Sequence, residues 1–191
     1  MESTQVSGRP RDPRIDAAVL QATLELLAEI GYPKLTIPAI AARAGTSAPA
    51  VHRRWPSKVE LVYEAVLPST EGVVIPWGND VESGIRAIVE GSVRMFHDPA
   101  VRAAVSGLTA ELAAKPGLSG SLLGRLRGPG YEQLQHHLDE AAAAGRIRPG
   151  IDARHLLDMI GGSAFMSVTN ERELDEAWID HTVAIIIRGL A

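Results

Sequence analysis

The chain has no cysteine in its 191 residues, which removes disulfides, thiolate metal sites, cysteine nucleophiles and thiol redox sensing together. Its first residues, MESTQVSGRPRDPR, lack the apolar core of a secretory signal, and no uncharged apolar run approaches the roughly 18 residues of a membrane span. These two absences predict a soluble, cytoplasmic protein without membrane contact. Motifs for chemistry are missing as well. There is no phosphate-binding loop and no G-x-G-x-x-G following a strand. The nearest approach to a nucleophile elbow, Gly161-Gly162-Ser163-Ala164-Phe165, lacks the closing glycine and lies in a helical stripe. No enzyme and no cofactor are therefore expected. Sustained period-two alternation bounded by hairpin turns is absent too, whereas apolar residues recur at helical spacing almost throughout, so the fold class is all-α.

Glycine and proline punctuate the helices. A first helix starts with Asp12 as cap and Pro13 just inside, carries Ile15, Val19, Ala22, Leu26 and Ile30 on one stripe, and ends at Gly31. A short second helix follows Thr36 and stops at Gly45, and a third runs from Ser47 to Trp55. Ser57-Lys58-Val59-Glu60 has capping-box spacing and opens a fourth helix that ends before Pro68. Glu71–Asp80 reads as a linker, placing a domain boundary near residue 68. Further helices are expected at roughly 81–97, 100–114, 119–144, 152–169 and 173–190. In the third of these, Pro116, Gly117, Gly120, Gly124, Gly128, Pro129 and Gly130 predict a loop or broken helix that becomes regular only from Tyr131.

Charge separates the two halves. The net charge is −4, yet residues 1–66 hold eight Lys/Arg against seven Asp/Glu, and 67–191 hold eleven against sixteen. Between Lys34 and Lys58 lie five basic residues (Lys34, Arg43, Arg53, Arg54, Lys58) and no acid. The same window carries two short helices joined by Ala44-Gly45-Thr46-Ser47, with glycine where the first must end and serine where the second needs a cap. That is helix-turn-helix spacing. Ile37, Ile40, Ala41, Val51 and Trp55 would lock the pair, leaving Ala48, Pro49, His52 and Arg53 outward, to enter a major groove N-terminal end first.

The pattern Thr36, Ile40-Ala41, Ala44-Gly45, Ser47, Val51, Trp55, Ser57-Lys58 and Leu61 resembles the TetR family signature. The stretch Glu140–Gly162, EAAAAGRIRPGIDARHLLDMIGG, is similar to the family's C-terminal layout, so the resemblance spans most of the chain. It implies a three-helix DNA-binding domain at 12–67 behind a flexible basic tail at 1–11, joined by a linking helix to a ligand-binding and dimerisation domain at 68–191. Thr36 and Lys58 would contact phosphate, and Thr46, Ser47, Ala48, Pro49, Ala50, His52, Arg53 and Arg54 would line the groove face. Of Arg53 and Arg54, one is expected toward the groove and one along the backbone or an intramolecular carboxylate. His52 stands where the family often has tyrosine, and Ala48-Pro49 replaces its usual small or basic pair, so no operator sequence transfers from a relative.

A single helix-turn-helix makes few contacts, so two copies on a palindromic duplex with half-site centres about 34–36 Å apart, or a multiple, are expected. The last two helices offer the homodimer interface through Leu156, Ile160, Gly161, Gly162, Trp178, Thr182, Ile185 and Ile186; intrachain core is the other reading of the same stripes. Around an effector cavity the resemblance implies Trp77, Met95, Phe96, Leu108, Leu112, Leu126, Met159 and Phe165, with simple core again the alternative. An apolar or amphipathic small molecule fits such a lining, and repression released by it is the family expectation. His136 with Asp139, His137 with Glu140 and His155 with Asp158 leave a metal-responsive regulator open. The departures at Ala48, Pro49 and His52 leave open an architectural or partner-binding helical protein without a specific operator.

Overall fold

The computed structural model describes residues 13–67, 77, 80–115 and 117–191, with side chains throughout these except at 119 and 123–127. Among the described residues there are nine helices and no strand: α1 Pro13–Lys34, α2 Ile37–Arg43, α3 Ala48–His52, α4 Lys58–Val66, α5 Val81–His97, α6 Pro99–Ala113, α7 Leu118–Ala143, α8 Ala153–Thr169 and α9 Glu176–Leu190. No described helix is long and apolar enough to cross a membrane. The basic tail, the Asp12 cap, and the expected boundary near 68 with most of its linker lie outside the described residues.

The first four helices form a tripod around one core. Helix α1 is regular up to Gly31, whose φ of 73° and ψ of 167° break it where the sequence has its glycine, and a short turn carries the chain to Lys34. Val19, Leu27, Leu35, Ile40, Val51 and Leu61 are fully buried between α1, α2, α3 and α4, each stabilising by about 1.5–3 kcal/mol relative to exposure. Thr23, buried among them, donates its hydroxyl to the Val19 carbonyl at 2.8 Å and so leaves no polar group stranded. Helix α4 begins at the serine cap, but the capping box is rearranged. Ser57 Oγ accepts the Glu60 amide at 3.3 Å and donates to the Glu60 carboxylate at 3.0 Å.

Helix α6 packs on both α1 and α4 and ties this tripod to the remaining helices, among which α5 packs on α6, α8 and α9, and α7 on α8. Ile85, Val89, Leu134, Leu138, Ile160 and Val183 form the interior of that second group, continuous with the first core.

Helix α7 departs from the expectation of a loop or broken first half. It is helical from Leu118, with Pro129 inside it. Leu122, Leu134, Leu138 and Ala141 are buried on its inner side, and anchoring an apolar face in tertiary packing outweighs the unfavourable propensity of its glycines and proline.

Candidate nucleic-acid interface

The α2–α3 turn is built by its caps. Ala39 N–H donates to Thr36 Oγ1 at 3.3 Å at the start of α2. At its end, Gly45 N–H bonds the Ala42 carbonyl at 3.2 Å and Thr46 N–H the Ala41 carbonyl at 2.9 Å, the paired bonds of a Schellman ending. Gly45 takes the left-handed conformation this requires, at φ 64°. Ser47 then caps α3, accepting the Ala50 amide at 3.4 Å. Val51 and Trp55 are buried against the tripod, which fixes the rotation of α3 and turns Pro49, His52 and Arg53 outward to solvent. Ala48 and Ala50 are half-buried, as is Thr46, while Thr36 and Ser47 are exposed at the helix starts.

The basic window is acid-free only along the chain. In three dimensions acids from other helices reach three of its five cations. Arg43 forms a bidentate pair with Glu29, at 2.9 and 2.8 Å, and also reaches Glu25 at 3.4 Å. The Arg43 hydrogen bond holds the Glu29 carboxyl below the usual carboxylate range. Arg54, 13% exposed, is held by Asp16 of α1 and donates to the Ala50 carbonyl at 3.1 Å. Lys58 lies 3.9 Å from Glu111 of α6 and 3.3 Å from the Tyr32 carbonyl, above the Tyr32 ring. Lys34 and Arg53 form no ion pair among the described residues. The positive charge left to an outside anion is thus on Lys34, at the end of α1, and on Arg53 beside His52, on the exposed side of α3. Arg54 is the member of the arginine pair engaged by an intramolecular carboxylate.

Comparison with known proteins matches this geometry to a family along nearly the whole chain. The profile described as "Bacterial regulatory proteins, tetR family" matches residues 19–65, and "Tetracyclin repressor-like, C-terminal domain" matches residues 75–186. The chain belongs to the TetR family. An uncharacterized HTH-type transcriptional regulator of Mycobacterium tuberculosis is 32% identical over 167 residues, covering 83% of this chain and 80% of that one. Among solved structures, the transcriptional regulator FadR from Bacillus subtilis in complex with stearoyl-CoA superimposes with a TM-score of 0.65 at 16% identity, over 92% of this chain and 99% of its own. RolR in complex with resorcinol gives 0.59 at 16% identity, over 94% and 88%. The protein is a TetR-family transcriptional regulator with a DNA-binding helix-turn-helix module and a C-terminal helical ligand-binding domain.

Within that TetR-type C-terminal domain, the expected effector lining is dispersed. Phe96 and Leu108 are buried, and Trp77, Met95, Leu112 and Phe165 are half-buried against the core. The Leu126 side chain lies outside the described residues. Met159 is 51% exposed on the outer side of α8, because the inner side of that helix is filled by Leu156 and Ile160, so in this structure it lines no interior. Trp77 stacks on His137 with ring centroids 5.5 Å apart and planes 5° from parallel. The indole also presses on α5, where a Cβ on Gly84 would come within 2.4 Å of it. The buried Trp77 indole nitrogen and Ser92 hydroxyl have no hydrogen-bond partner among the described residues. A groove of about 390 Å³ between α5 and α9 is lined by Glu82, Arg86, Asp180, Val183, Ala184, Ile187 and Arg188, none of them expected around an effector.

The residues expected at a dimer interface divide into two sets. Leu156, Ile160 and Ile186 are buried inside the subunit, and Trp178 donates its indole N–H to Ser167 Oγ at 3.1 Å, joining α9 to α8 internally. These four serve intrachain packing. Gly161 and Thr182 are half-buried, while Gly162 and Ile185 face outward. Met159 and Met166 at 51% and Ile185 at 53% are among the most exposed large apolar side chains described. At the helical histidines, Glu140 takes both His136, at 3.4 Å, and His137, at 3.8 Å, whereas Asp139 receives Gln135 instead. Among the described residues, no three His, Asp or Glu side chains converge as a metal site. Tyr32, Gly107 and Glu111, which join the DNA-binding tripod to α6, carry no signal in the sequence, since nothing local marks Glu111 as the partner of a tyrosine on another helix.

Proposed function

We propose that this regulator is a cytoplasmic, dimeric repressor that occupies a palindromic operator and is released when a small apolar or amphipathic molecule enters the helices after residue 68. The observation that carries this reading is the exposed side of α3. Pro49, His52 and Arg53 project from a helix whose other side is locked by Val51 and Trp55, and Arg53 has no intramolecular carboxylate to neutralise it among the described residues. A side chain so placed is free to form bidentate contacts with a base edge. Thr36, Thr46, Ser47, Ala48 and Ala50 border it as backbone and groove contacts, with Lys58 on an adjacent phosphate. Residues 12–67 act as the DNA-binding domain and 68–191 as the sensing and dimerisation domain.

The dimer reading draws on the outward apolar side of α8 and α9. Met159, Gly162 and Met166 on α8 and Ile185 on α9 are each exposed, and a second copy would cover at a gain apolar side chains that water covers at a cost. The effector reading draws on family: FadR and RolR are described with stearoyl-CoA and resorcinol respectively, one an acyl thioester and the other a small phenol. Trp77, Met95, Leu112 and Phe165, half-buried against the core, are the apolar side chains that a rearrangement would have to bring together around a guest.

A gel-shift titration on the intergenic DNA beside its own gene, with random duplex as competitor and solution mass measured in parallel, tests the reading. Tight, competitor-resistant binding by a dimer is expected. Equal affinity for both DNAs would overturn it in favour of an architectural role.

A further inference from the structure

Lys58 is the one cation of the basic window whose described partners come from the junction with α6. Its ammonium lies 3.3 Å from the Tyr32 carbonyl oxygen, 4.0 Å from the centroid of the Tyr32 ring and 3.9 Å from Glu111 Oε1. The same Glu111 oxygen accepts the Tyr32 phenol at 2.8 Å. Burial first, and then the Glu111 hydrogen bond, pushes that phenol well above the ordinary tyrosine range, so it stays a donor. One turn before Glu111, Gly107 lets the Tyr32 ring lie against α6, since a Cβ there would fall 2.2 Å from Tyr32 Cδ1. The carboxylate is therefore positioned by α1 and carried by α6, while the ammonium is carried by α4.

We propose that Glu111 is an internal competitor for Lys58: a carboxylate on α6 that engages, in the DNA-free chain, the ammonium that otherwise neutralises a phosphate of the DNA backbone. The inference rests on the reading of Lys58 as a phosphate contact. A phosphate brought to Lys58 finds Glu111 already there, and two anions around one ammonium repel each other. Binding DNA thus requires Lys58 to leave Glu111 or the phosphate to stand beside it, and either lowers affinity. Lys58 is 25% exposed and Glu111 39%, so both are within reach of solvent and the exchange is an accessible one. Because Glu111 travels with α6 and Lys58 with α4, any shift that brings α6 closer to α4 withholds the ammonium and any shift away releases it. By linkage, DNA at Lys58 favours the separated arrangement to the same degree.

The competition predicts a sequence-independent signature. Wild type, Glu111→Gln, Lys58→Ala and the double variant are titrated on one fixed random-sequence duplex and on the intergenic fragment, over a series of salt concentrations. Glu111→Gln keeps the acceptor for Tyr32 and removes the charge. It is expected to bind both DNAs about three- to fivefold more tightly per DNA-binding head, the scale of an exposed ion pair. The salt exponent should steepen by about 0.9 per head as one further phosphate is fully neutralised. In the Lys58→Ala background the gain should vanish. Unchanged or weaker binding with an unchanged exponent would overturn the proposal. So would an equal gain in the Lys58→Ala background, which would mark a general effect of removing negative charge. Loss of DNA binding by wild type itself would overturn the phosphate reading, a separate and recognisable result. Should Glu111→Gln fail to fold, Tyr32→Phe removes only the phenol donor. A smaller gain of the same sign is then expected, and no gain would count against the proposal.

Discussion

The ring of Tyr32 occupies the space above Gly107 so closely that a Cβ on the glycine would stand 2.2 Å from Tyr32 Cδ1 and 2.8 Å from Cγ. Both atoms belong to a ring buried between α1 and α6, so it cannot swing aside as the end of a flexible chain would. This approach sets how near α6 comes to the DNA-binding tripod.

Gly107→Ala therefore forces the ring or the helix to move. Alanine raises helix propensity by about 1 kcal/mol, but overpacking at a closed seam costs about 1–3 kcal/mol, and the second effect should win. The expected outcome is a lower midpoint in thermal or urea unfolding. A variant at least as stable as wild type would show that the seam opens freely.

Tyr32 also gives the protein an alkaline limit. Its phenol is held protonated in the fold by burial and then by Glu111, whereas in the unfolded chain it titrates near the ordinary value of about 10. A group whose folded pKa is raised contributes stability that is full below the unfolded pKa and declines as pH rises beyond it, because the native state then holds the extra proton. Urea unfolding of wild type and Tyr32→Phe should show wild type losing more stability than the variant between about pH 9 and about pH 11. Parallel losses would contradict the buried hydrogen bond.

How much of this was legible depended on whether the cause was local. Caps at Thr36, Ser47 and Ser57 and the break at Gly31 were visible because each acts within one turn, and the helices were found where those residues start and stop them. The acid-free window was visible too, but its electrostatic meaning was not, since Asp16, Glu25, Glu29 and Glu111 reach it from α1 and α6. The helical first half of α7 is not legible from its glycines and proline, because the packing of Leu122 against the core outweighs local propensity. On α8, apolar residues occur on both sides. Spacing alone does not tell the inward Leu156 and Ile160 from the outward Met159 and Met166.

The division of labour among the cations predicts that Arg53 and Arg54 behave differently. Arg53 is exposed and forms no ion pair among the described residues, whereas Arg54 is anchored by Asp16. Arg53→Ala should change preference among operator variants, costing about 1–3 kcal/mol at the base pairs it reads. Arg54→Ala should first lower the melting temperature by releasing Asp16 and the α3 carbonyl at Ala50. Competition binding on a library of single-base operator variants separates the two. Equal loss on every sequence for Arg53→Ala would remove it from base reading.

Gly162 offers the sharpest test of the interface between copies. It faces outward on α8 between Met159 and Met166, and among the described residues nothing beyond its own stretch of helix lies within 4 Å of a Cβ built on it. The Cβ of a larger side chain there meets no described neighbour, and Gly162→Leu should raise the helix propensity of α8 by up to about 1 kcal/mol. If a second copy packs on this surface, the same leucine pushes the two α8 helices apart. The subunit would then remain folded, its mass in solution would fall to that of a monomer, and operator affinity would drop at least about a hundredfold as the second head is lost from the palindrome. Ile185→Lys, at a side chain already 53% exposed, should do the same from α9 by placing a charge in the contact. Dimers of either variant that still bind the operator at wild-type strength would move the interface elsewhere on the molecule.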